Sequence, residues 1–167
     1  MEAMDAGLLL LRLWVAVVMI AHGSRHARTL EGTAGWFASL GFRQAPLQAR
    51  LSAAGEIAMG FGIGLGLLTA PAAAGLVATM AVAIWAHHRK SGFWVTARPD
   101  EGWEYVVTLS TIAIALGLLG PGEISLDRAL DIELVGWAGG LVVLAGIPAA
   151  AGQLALFWSK PPENPGG

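Results

Sequence analysis

The sequence predicts an all-α fold: a polytopic membrane four-helix bundle with an additional C-terminal hydrophobic helix. Of its 167 residues, 55% are hydrophobic and only 13% are charged, whereas about 25% of the residues in an ordinary soluble domain carry a charge. The charges are also missing from long stretches, most of them close to the ~20 residues that a helix needs to cross a bilayer. This composition argues against a soluble enzyme or a disordered chain. A net charge of −2 without a basic block argues against nucleic-acid binding.

Five hydrophobic segments follow from the charge-free stretches. They span about residues 6–25, 47–69, 72–89, 104–121 and 134–158. Pro71 separates the second from the third, because proline starts helices readily and disrupts their interiors. The last segment contains Gly146 and Pro148, which predict that it is kinked or partly interfacial.

Basic residues are concentrated at one end of the predicted bundle. Eight of them lie in the loop after the first segment, in the loop after the third, or beyond the fifth: Arg25, Arg28, Arg43, Arg50, Arg89, Lys90, Arg98 and Lys160. Only Arg128 lies in a loop at the other end. By the positive-inside rule, both long loops and the C-terminus face the cytoplasm and the N-terminus lies outside.

The second segment contains a run of alternating glycines. Gly60 and Gly64, and likewise Gly62 and Gly66, are four residues apart. Small residues at this spacing allow the backbones of membrane helices to approach closely. A nucleotide-binding glycine loop would need a preceding strand and a βαβ unit, and this sequence offers neither. The glycines therefore predict helix packing.

Ionisable side chains within or at the ends of the segments are the candidate site. There are five of them: Arg12, His22, Glu56, His87 and Glu104. Such groups are costly in lipid, so each is a functional candidate. At 1.5 Å per residue, the two histidines, Glu56 and Glu104 lie within about 9 Å of the cytoplasmic surface, and Arg12 lies about 20 Å from it. The sequence predicts a polar intramembrane cluster that binds a ligand, and it assigns no catalytic residue.

The direction of helical side chains predicts how this cluster pairs. Side chains lean toward the N-terminus of their helix, which brings His22 and Glu56 together and carries Arg12 away from Glu56. Arg12 is therefore expected to extend to the outer headgroups. Glu56 has two interpretations: a neutral carboxyl bonded to the backbone, or a working titratable group. On spacing alone, His87 and Glu104 are interfacial residues.

The chemistry of these residues favours a quinone or a proton over a metal. A titratable pair beside an apolar cavity suffices for contact with a quinone headgroup or for proton transfer. Carboxylate-bridged metal sites in helical bundles use Glu-x-x-His pairs, and the chain has none. A haem held by His22 and His87 fits their depth but is not favoured. Since there is no cysteine, the chain itself carries no thiol redox chemistry and no thiolate metal site.

Several short motifs, in this order, resemble the DoxX family of small bacterial membrane proteins. The motifs are Leu11-Arg12-Leu13, His22-Gly23, the stretch 35–42, Pro46, Glu56 with the glycines after it, His87, Gly92-Phe93, Glu104, Gly120-Pro121-Gly122 and Ser125-Leu126-Asp127. The resemblance covers about residues 6–130 and implies a four-helix bundle that crosses the bacterial inner membrane. We therefore expect a DoxX-like domain over 1–130, an extra membrane helix over 131–159 and a disordered tail over 160–167.

The resemblance also implies a function. The family is similar to the DoxD-type subunit of thiosulfate–quinone oxidoreductases and is linked to membrane redox and oxidative-stress complexes. On this interpretation the chain is the anchor or quinone-facing subunit, and a protein partner at the cytoplasmic loops carries the electron chemistry. The alternative is a non-enzymatic assembly chaperone or scaffold, which distant eukaryotic relatives resemble. A transporter is a weaker third hypothesis, and a homo-oligomer stays open.

Overall fold

The computed structural model describes residues 3–161, and helices account for most of them. The helices are α1 (Ala3–Arg28), α2 (Leu30–Ser39), α3 (Ala45–Leu65), α4 (Thr69–Ala86), α5 (Glu104–Leu119), α6 (Leu126–Ala129), α7 (Gly136–Leu144) and α8 (Gly146–Phe157). A 3₁₀ turn follows α4 at His88–Lys90. The predicted all-α bundle is confirmed. Of the tail predicted over 160–167, only the first two residues fall within the described part of the chain.

The loop predicted after the first segment contains a helix. Helix α1 continues to Arg28, and α2 starts only two residues later. Five residues separate α2 from α3: Leu40, Gly41, Phe42, Arg43 and Gln44, the last of which is the N-cap of α3. We call residues 40–43 the roof loop. The segment bounds missed α2 because it has only ten residues, too few to cross a bilayer, and lies between the basic residues that marked this stretch as a loop.

Helix α3 ends four residues before the end of the predicted second segment, and α4 begins three residues before the start of the predicted third. Helix α3 ends at Leu65 because Gly66 takes a left-handed conformation with a φ of 64°, and Leu68 follows with a φ of 49°. Glycine adopts this conformation at low cost and commonly ends helices. Helix α4 then begins at Thr69, with Pro71 in its first turn, a position that proline favours.

The last hydrophobic segment is broken, as its glycine and proline predict. Helix α7 ends at Leu144, and α8 begins at Gly146 with Pro148 in its first turn. A Cβ atom at Gly146 would lie 3.0 Å from the backbone nitrogen of Ala78. The bend therefore lies where α8 packs closely against α4.

Between them, helices α3 and α4 contact most of the other helices. Helix α1 lies against α3, α3 also contacts α2 and α4, and α4 is the centre against which α5, α7 and α8 pack. The core between them is lined by apolar side chains, including Val15, Met19, Ile63, Leu76, Leu116 and Val143. Contacts between α1 and α5 are few. The bundle is therefore loosely closed between these two helices.

Three helices of the described chain are long and apolar enough to cross a membrane. They are α1, α4 and the α7–α8 pair. Helix α5 is apolar but only 16 residues long. Helix α3 has 21 residues, but Gln48, Arg50 and Glu56 lower its mean hydropathy. Of the five predicted crossings, three are thus supported by length and composition, and the other two stay predictions.

Candidate functional site

A cavity of about 670 Å³ lies at the end of the bundle where the long loops meet. Its walls come from α1, α2, α3, α4, the start of α5 and the end of α8, and they are largely apolar and aromatic. The titratable side chains that line it are His22, His26, Glu56, His87, His88 and Tyr105, together with the exposed Arg25 and Glu101. A cavity of this size with a few convergent polar groups is typical of small-molecule sites.

Glu56 is the buried carboxylate of this cavity. Only 5% of the residue is exposed. Ser52, one helical turn earlier on α3, donates a hydrogen bond to Oε1 over 2.5 Å. The imidazole Nε2 of His26 lies 3.7 Å from the same oxygen. Glu56 thus contacts two side chains, those of Ser52 and His26. The sequence offered a carboxyl bonded to the backbone or a titratable group, and the hydrogen bond found here comes from a side chain.

The structure corrects the expected contact between His22 and Glu56. The residue at ion-pair distance is His26, one turn further along α1. Glu56 leans toward the N-terminus of α3, and the lean carries its carboxylate to the level of His26. His22 also lines the cavity, where its ring stacks on Tyr105 with centroids 6.1 Å apart. The sequence argument overlooked His26 because it lies next to Arg25 and Arg28, among residues assigned to the cytoplasmic loop.

His87 reaches the cavity from the end of α4. Its ring makes edge-to-face contacts with the rings of Trp36 and His88, and the ring centroids are 5.5 Å and 4.7 Å away, respectively. Burial lowers the pKa of His87, and His88 lowers it further, while Asp100 and Glu101 raise it. His88 donates a hydrogen bond from Nδ1 to the main-chain oxygen of Glu101 over 2.7 Å. Aromatic contacts therefore hold His87 in the cavity, and its surroundings favour the neutral imidazole.

Glu104 does not join the cluster. It is the first residue of α5, and the neighbouring Tyr105 lines the cavity in its place. The main-chain nitrogen of Glu104 donates to the oxygen of Phe93 over 2.9 Å, and its main-chain oxygen accepts from Thr108. The residue that the sequence singled out thus marks the start of the helix, and the neighbouring tyrosine lines the cavity.

Arg12 is buried at the opposite end of the bundle, so the expectation that it reaches the outer headgroups is wrong. Only 1% of the residue is exposed. Its guanidinium donates to the main-chain oxygens of Ile63 (3.0 Å), Gly64 (3.1 Å) and Ile124 (2.9 Å), and also to that of Pro121. The last carbonyl groups of α3 have no following helical turn to bond. Arg12 bonds to the oxygen of Gly64 and to that of Ile63, which also accepts from the nitrogen of Gly66. Arg12 is therefore structural and lies outside the cavity.

Asp127 completes this closure at the Arg12 end. Its carboxylate accepts hydrogen bonds from the main-chain nitrogens of Leu68 (2.6 Å) and Thr69 (2.8 Å) at the start of α4. Its own nitrogen donates to Gly66 over 2.7 Å. Asp127 thus binds the α3–α4 turn from the other side, and its charge is favourable to Arg12. The bundle is closed by polar contacts at the end away from the cavity.

Three of the four predicted packing glycines do lie against neighbouring helices. A Cβ atom on Gly60 would lie 2.7 Å from Ile20, one on Gly64 would lie 2.8 Å from Ala16, and both neighbours belong to α1. Gly62 instead faces Ala72 of α4. The fourth, Gly66, ends α3 next to Arg12 and is not a helix-packing residue. Gly23 of α1, which the sequence argument did not include, lies against the backbone of Ala53 and Ile57.

The end of α8 holds the roof loop in place. The nitrogen of Arg43 donates to the oxygen of Phe157 (2.7 Å), and the nitrogen of Ser159 donates to the oxygen of Gly41 (3.0 Å). The side chain of Arg43 also donates to the oxygen of Leu156. Phe42 and Trp158 form an isolated antiparallel bridge. Because Phe42 and Phe157 both line the cavity, the C-terminal helix shapes the site itself.

A polar pair links α8 to α3 inside the same cavity. Gln153 donates from Nε2 to Oε1 of Gln48 over 2.9 Å, and both side chains line the cavity. Gln48, Ser52 and Glu56 follow one another at intervals of one turn on the inner face of α3. The cavity therefore has polar groups along one wall, facing the histidines and aromatic rings of α1 and α2.

No group of three or more His, Asp or Glu side chains that could hold a metal ion occurs within residues 3–161. The helices, the apolar spans and the buried polar clusters together define an integral membrane protein with a helical bundle. The DoxX family model matches residues 7–89, about half of the chain, and the chain belongs to the DoxX family. The match covers α1–α4, which supply most of the cavity wall. Neither the curated proteins nor the solved structures contained a match.

Proposed function

We propose that this DoxX protein is a membrane-embedded subunit of a redox complex and that it binds the headgroup of a quinone in the cavity. The single observation that carries the proposal is the composition of that cavity: a buried carboxylate, several imidazoles and a phenol within apolar and aromatic walls. A quinone headgroup is a flat apolar ring that carries two carbonyl oxygens. It needs hydrogen-bond donors at its edge and apolar or aromatic surface at its faces.

The cavity provides both kinds of contact. Trp36, Phe37 and Phe42 supply aromatic surface on one side. Tyr105 and the histidines supply donors, and His22 is already held against Tyr105 by stacking. Apolar pockets with few, well-placed polar groups fix the orientation of a ligand. This arrangement suits a neutral, ring-shaped ligand that arrives from the lipid.

The contact between α1 and α5 suggests how such a ligand reaches the cavity. These helices touch little, although His22 of α1 and Tyr105 of α5 both line the site. A lipid-dissolved quinone would approach between them, with its apolar tail left in the bilayer. The headgroup would then pass the stacked pair of His22 and Tyr105.

The electrons of the proposed reaction come from a partner protein. The chain has no cysteine, so thiol and iron–sulfur chemistry that depends on cysteine requires another subunit. The positive-inside rule places both long loops in the cytoplasm and the N-terminus outside, and we propose that the partner docks on these loops. The domain limits proposed from the sequence, 1–130 and 131–159, then correspond to the quinone site and to the helices that complete its wall.

Quinone titration of the purified protein tests the proposal. A short-chain benzoquinone should quench the fluorescence of Trp36 in a saturable way, and Trp36→Phe should remove most of the saturable component. Glu56→Gln and His22→Ala should weaken binding by about tenfold, which corresponds to about 1.4 kcal/mol. Thr111→Val changes an exposed residue of α5 outside the cavity and should bind like the wild type. Unchanged affinity in both cavity variants contradicts the proposal and favours the assembly-factor alternative.

A further inference from the structure

A continuous series of polar groups connects Glu56 to the surface of the protein. Nε2 of His26 lies 3.7 Å from Oε1 of Glu56. On its other side, Nδ1 of His26 lies 3.3 Å from Oγ1 of Thr33. Oγ1 of Thr33 is 3.5 Å from Oγ1 of Thr29, and Thr29 in turn donates to the main-chain oxygen of Arg25 over 3.0 Å. The series crosses from α3 through α1 to α2.

The directions of these hydrogen bonds are fixed by the last one. A main-chain oxygen only accepts, so the single hydroxyl proton of Thr29 points to Arg25. Thr29 must then accept from Thr33, whose hydroxyl proton is used in that bond. Thr33 in turn accepts from His26, which places the imidazole proton on Nδ1. The lone pair of Nε2 therefore faces the carboxyl group of Glu56.

The series begins at a buried residue and ends at an exposed one. Glu56 and Thr33 are buried, with 5% and 6% of each residue exposed, whereas the side chain of His26 is 21% exposed and Thr29 is exposed. All four residues line the cavity, so the series follows the cavity wall from Glu56 to its exposed rim at Thr29. By the positive-inside rule, the exposed end lies on the cytoplasmic side.

We propose that Glu56, His26, Thr33 and Thr29 form a proton path along the cavity wall, from the buried carboxyl group of Glu56 to the cytoplasmic surface. A proton leaves the carboxyl group of Glu56 for Nε2 of His26, and the proton on Nδ1 passes to Thr33. The hydroxyl proton of Thr33 passes to Thr29, and the Thr29 hydroxyl turns away from the main-chain oxygen of Arg25 and releases its own proton to water. One proton is transferred in net terms, and reorientation of the hydroxyls and the ring restores the starting arrangement.

The path rests on the proposed function, because the reduction of a quinone takes up protons together with electrons. For that uptake the same transfers run in reverse and carry a proton from water to Glu56. Other titratable groups surround Glu56 without continuing the path. His22 of α1 stacks on Tyr105 of α5, and both lie near the carboxylate. Arg25 lies near His26, and its main-chain oxygen accepts the final hydrogen bond. The series of close polar contacts that leads to the surface passes through His26, so His22 serves as the comparison residue.

The test is a pH jump on the purified full-length protein in detergent without any quinone. Time-resolved infrared spectroscopy follows the carbonyl stretch of the protonated Glu56 carboxyl group, assigned by its loss in Glu56→Gln. His26→Phe and Thr33→Val should slow its protonation by about tenfold or more, equivalent to about 1.4 kcal/mol in the barrier. In Thr33→Val, which does not touch Glu56, the equilibrium midpoint should stay at the wild-type pH. His22→Phe should keep the wild-type rate.

Several results would overturn the path. Protonation at the wild-type rate in both His26→Phe and Thr33→Val excludes it, as does a loss of rate confined to His22→Phe. A Glu56 carboxyl band that never changes over the accessible pH range excludes it too. Because no quinone is present in this experiment, failure of the proton path leaves the result of the quinone titration of the cavity unaffected. Loss of quinone binding likewise leaves the protonation rate to be measured independently.

Discussion

The indole Nε1 of Trp158 donates a hydrogen bond to the main-chain oxygen of Leu40 over 2.7 Å. This bond joins the residue after α8 to the first residue of the roof loop, 118 positions earlier in the chain. The family match ends at residue 89, so a segment beyond the match holds a loop within it. The C-terminal helices therefore complete a cavity that α1–α4 begin.

Removal of the Trp158 hydrogen bond should loosen the roof loop. Trp158→Phe keeps an aromatic ring but loses the donor, which should cost about 1 kcal/mol of unfolding free energy. Quinone affinity should also fall several-fold because Leu40 lines the cavity. Trp137→Phe is the matched control, since Trp137 is 82% exposed. Thermal unfolding and the quinone titration measure the two effects, and equal behaviour of the two variants would contradict the assigned role of α8.

Arg12 should contribute to stability and not to ligand binding. Arg12→Gln removes most of the hydrogen bonds to four main-chain oxygens and leaves some of these buried groups unpaired. Such losses should destabilise the protein by about 3 kcal/mol. Arg128→Gln is the control, because Arg128 pairs only with Glu123 and Glu133 at the surface and should change the melting temperature far less. If a folded Arg12→Gln variant loses quinone binding at wild-type stability, the structural role is wrong.

Gly23 should not tolerate a methyl group. A Cβ atom there would lie 2.8 Å from the backbone oxygen of Ala53 and 2.9 Å from the backbone nitrogen of Ile57. Since backbone atoms cannot move aside cheaply, Gly23→Ala should cost about 1–3 kcal/mol. Gly55→Ala is the control: that position on α3 has open space around it, and alanine should stabilise the helix by up to about 1 kcal/mol. Denaturant unfolding measures both, and opposite signs are expected.

His87 should titrate below its ordinary pKa of 6.5, because burial and His88 lower its pKa. The unfolded chain then binds more protons than the folded one as the pH falls below 6.5, so stability decreases across the window between 6.5 and the folded pKa. Above 6.5 the contribution is fully present. Because His87 is only partly buried, the slope should be shallow.

Proton titration by NMR of ¹³C-labelled histidine measures the midpoint of His87, and His87→Asn assigns its resonance. In His87→Asn the corresponding slope of stability against pH should disappear. A midpoint at or above 6.5 would show that the aromatic contacts with Trp36 do not bury the imidazole.

Much of the fold could be predicted because it depends on composition. The charge-free stretches gave the long helices, and Gly146 with Pro148 gave the break between α7 and α8. The end of α3 was misplaced because it depends on a single left-handed residue, Gly66, within an uninterrupted apolar run. Counting charged residues cannot locate such a helix end.

The candidate site was predicted in part. His22, Glu56 and His87 all line the cavity, because a polar side chain in an apolar segment needs a polar neighbourhood. His26 and Tyr105 were missed, since one lies among basic residues and the other is amphipathic. The position of Arg12 depends on the main-chain oxygens of Ile63 and Gly64 at the end of α3, and their position follows only from the backbone conformation.

The central claim is that a quinone headgroup binds inside the cavity, and photoaffinity labelling tests it most directly. The full-length protein in lipid vesicles is illuminated with a short-chain azidoquinone, and labelled peptides are mapped with and without excess unlabelled quinone. The account predicts labelling of α2 and the roof loop, especially at Trp36, Phe37 and Phe42, that the unlabelled quinone suppresses. Labelling spread over lipid-facing residues such as Trp14 and Leu141, with no suppression, would contradict it.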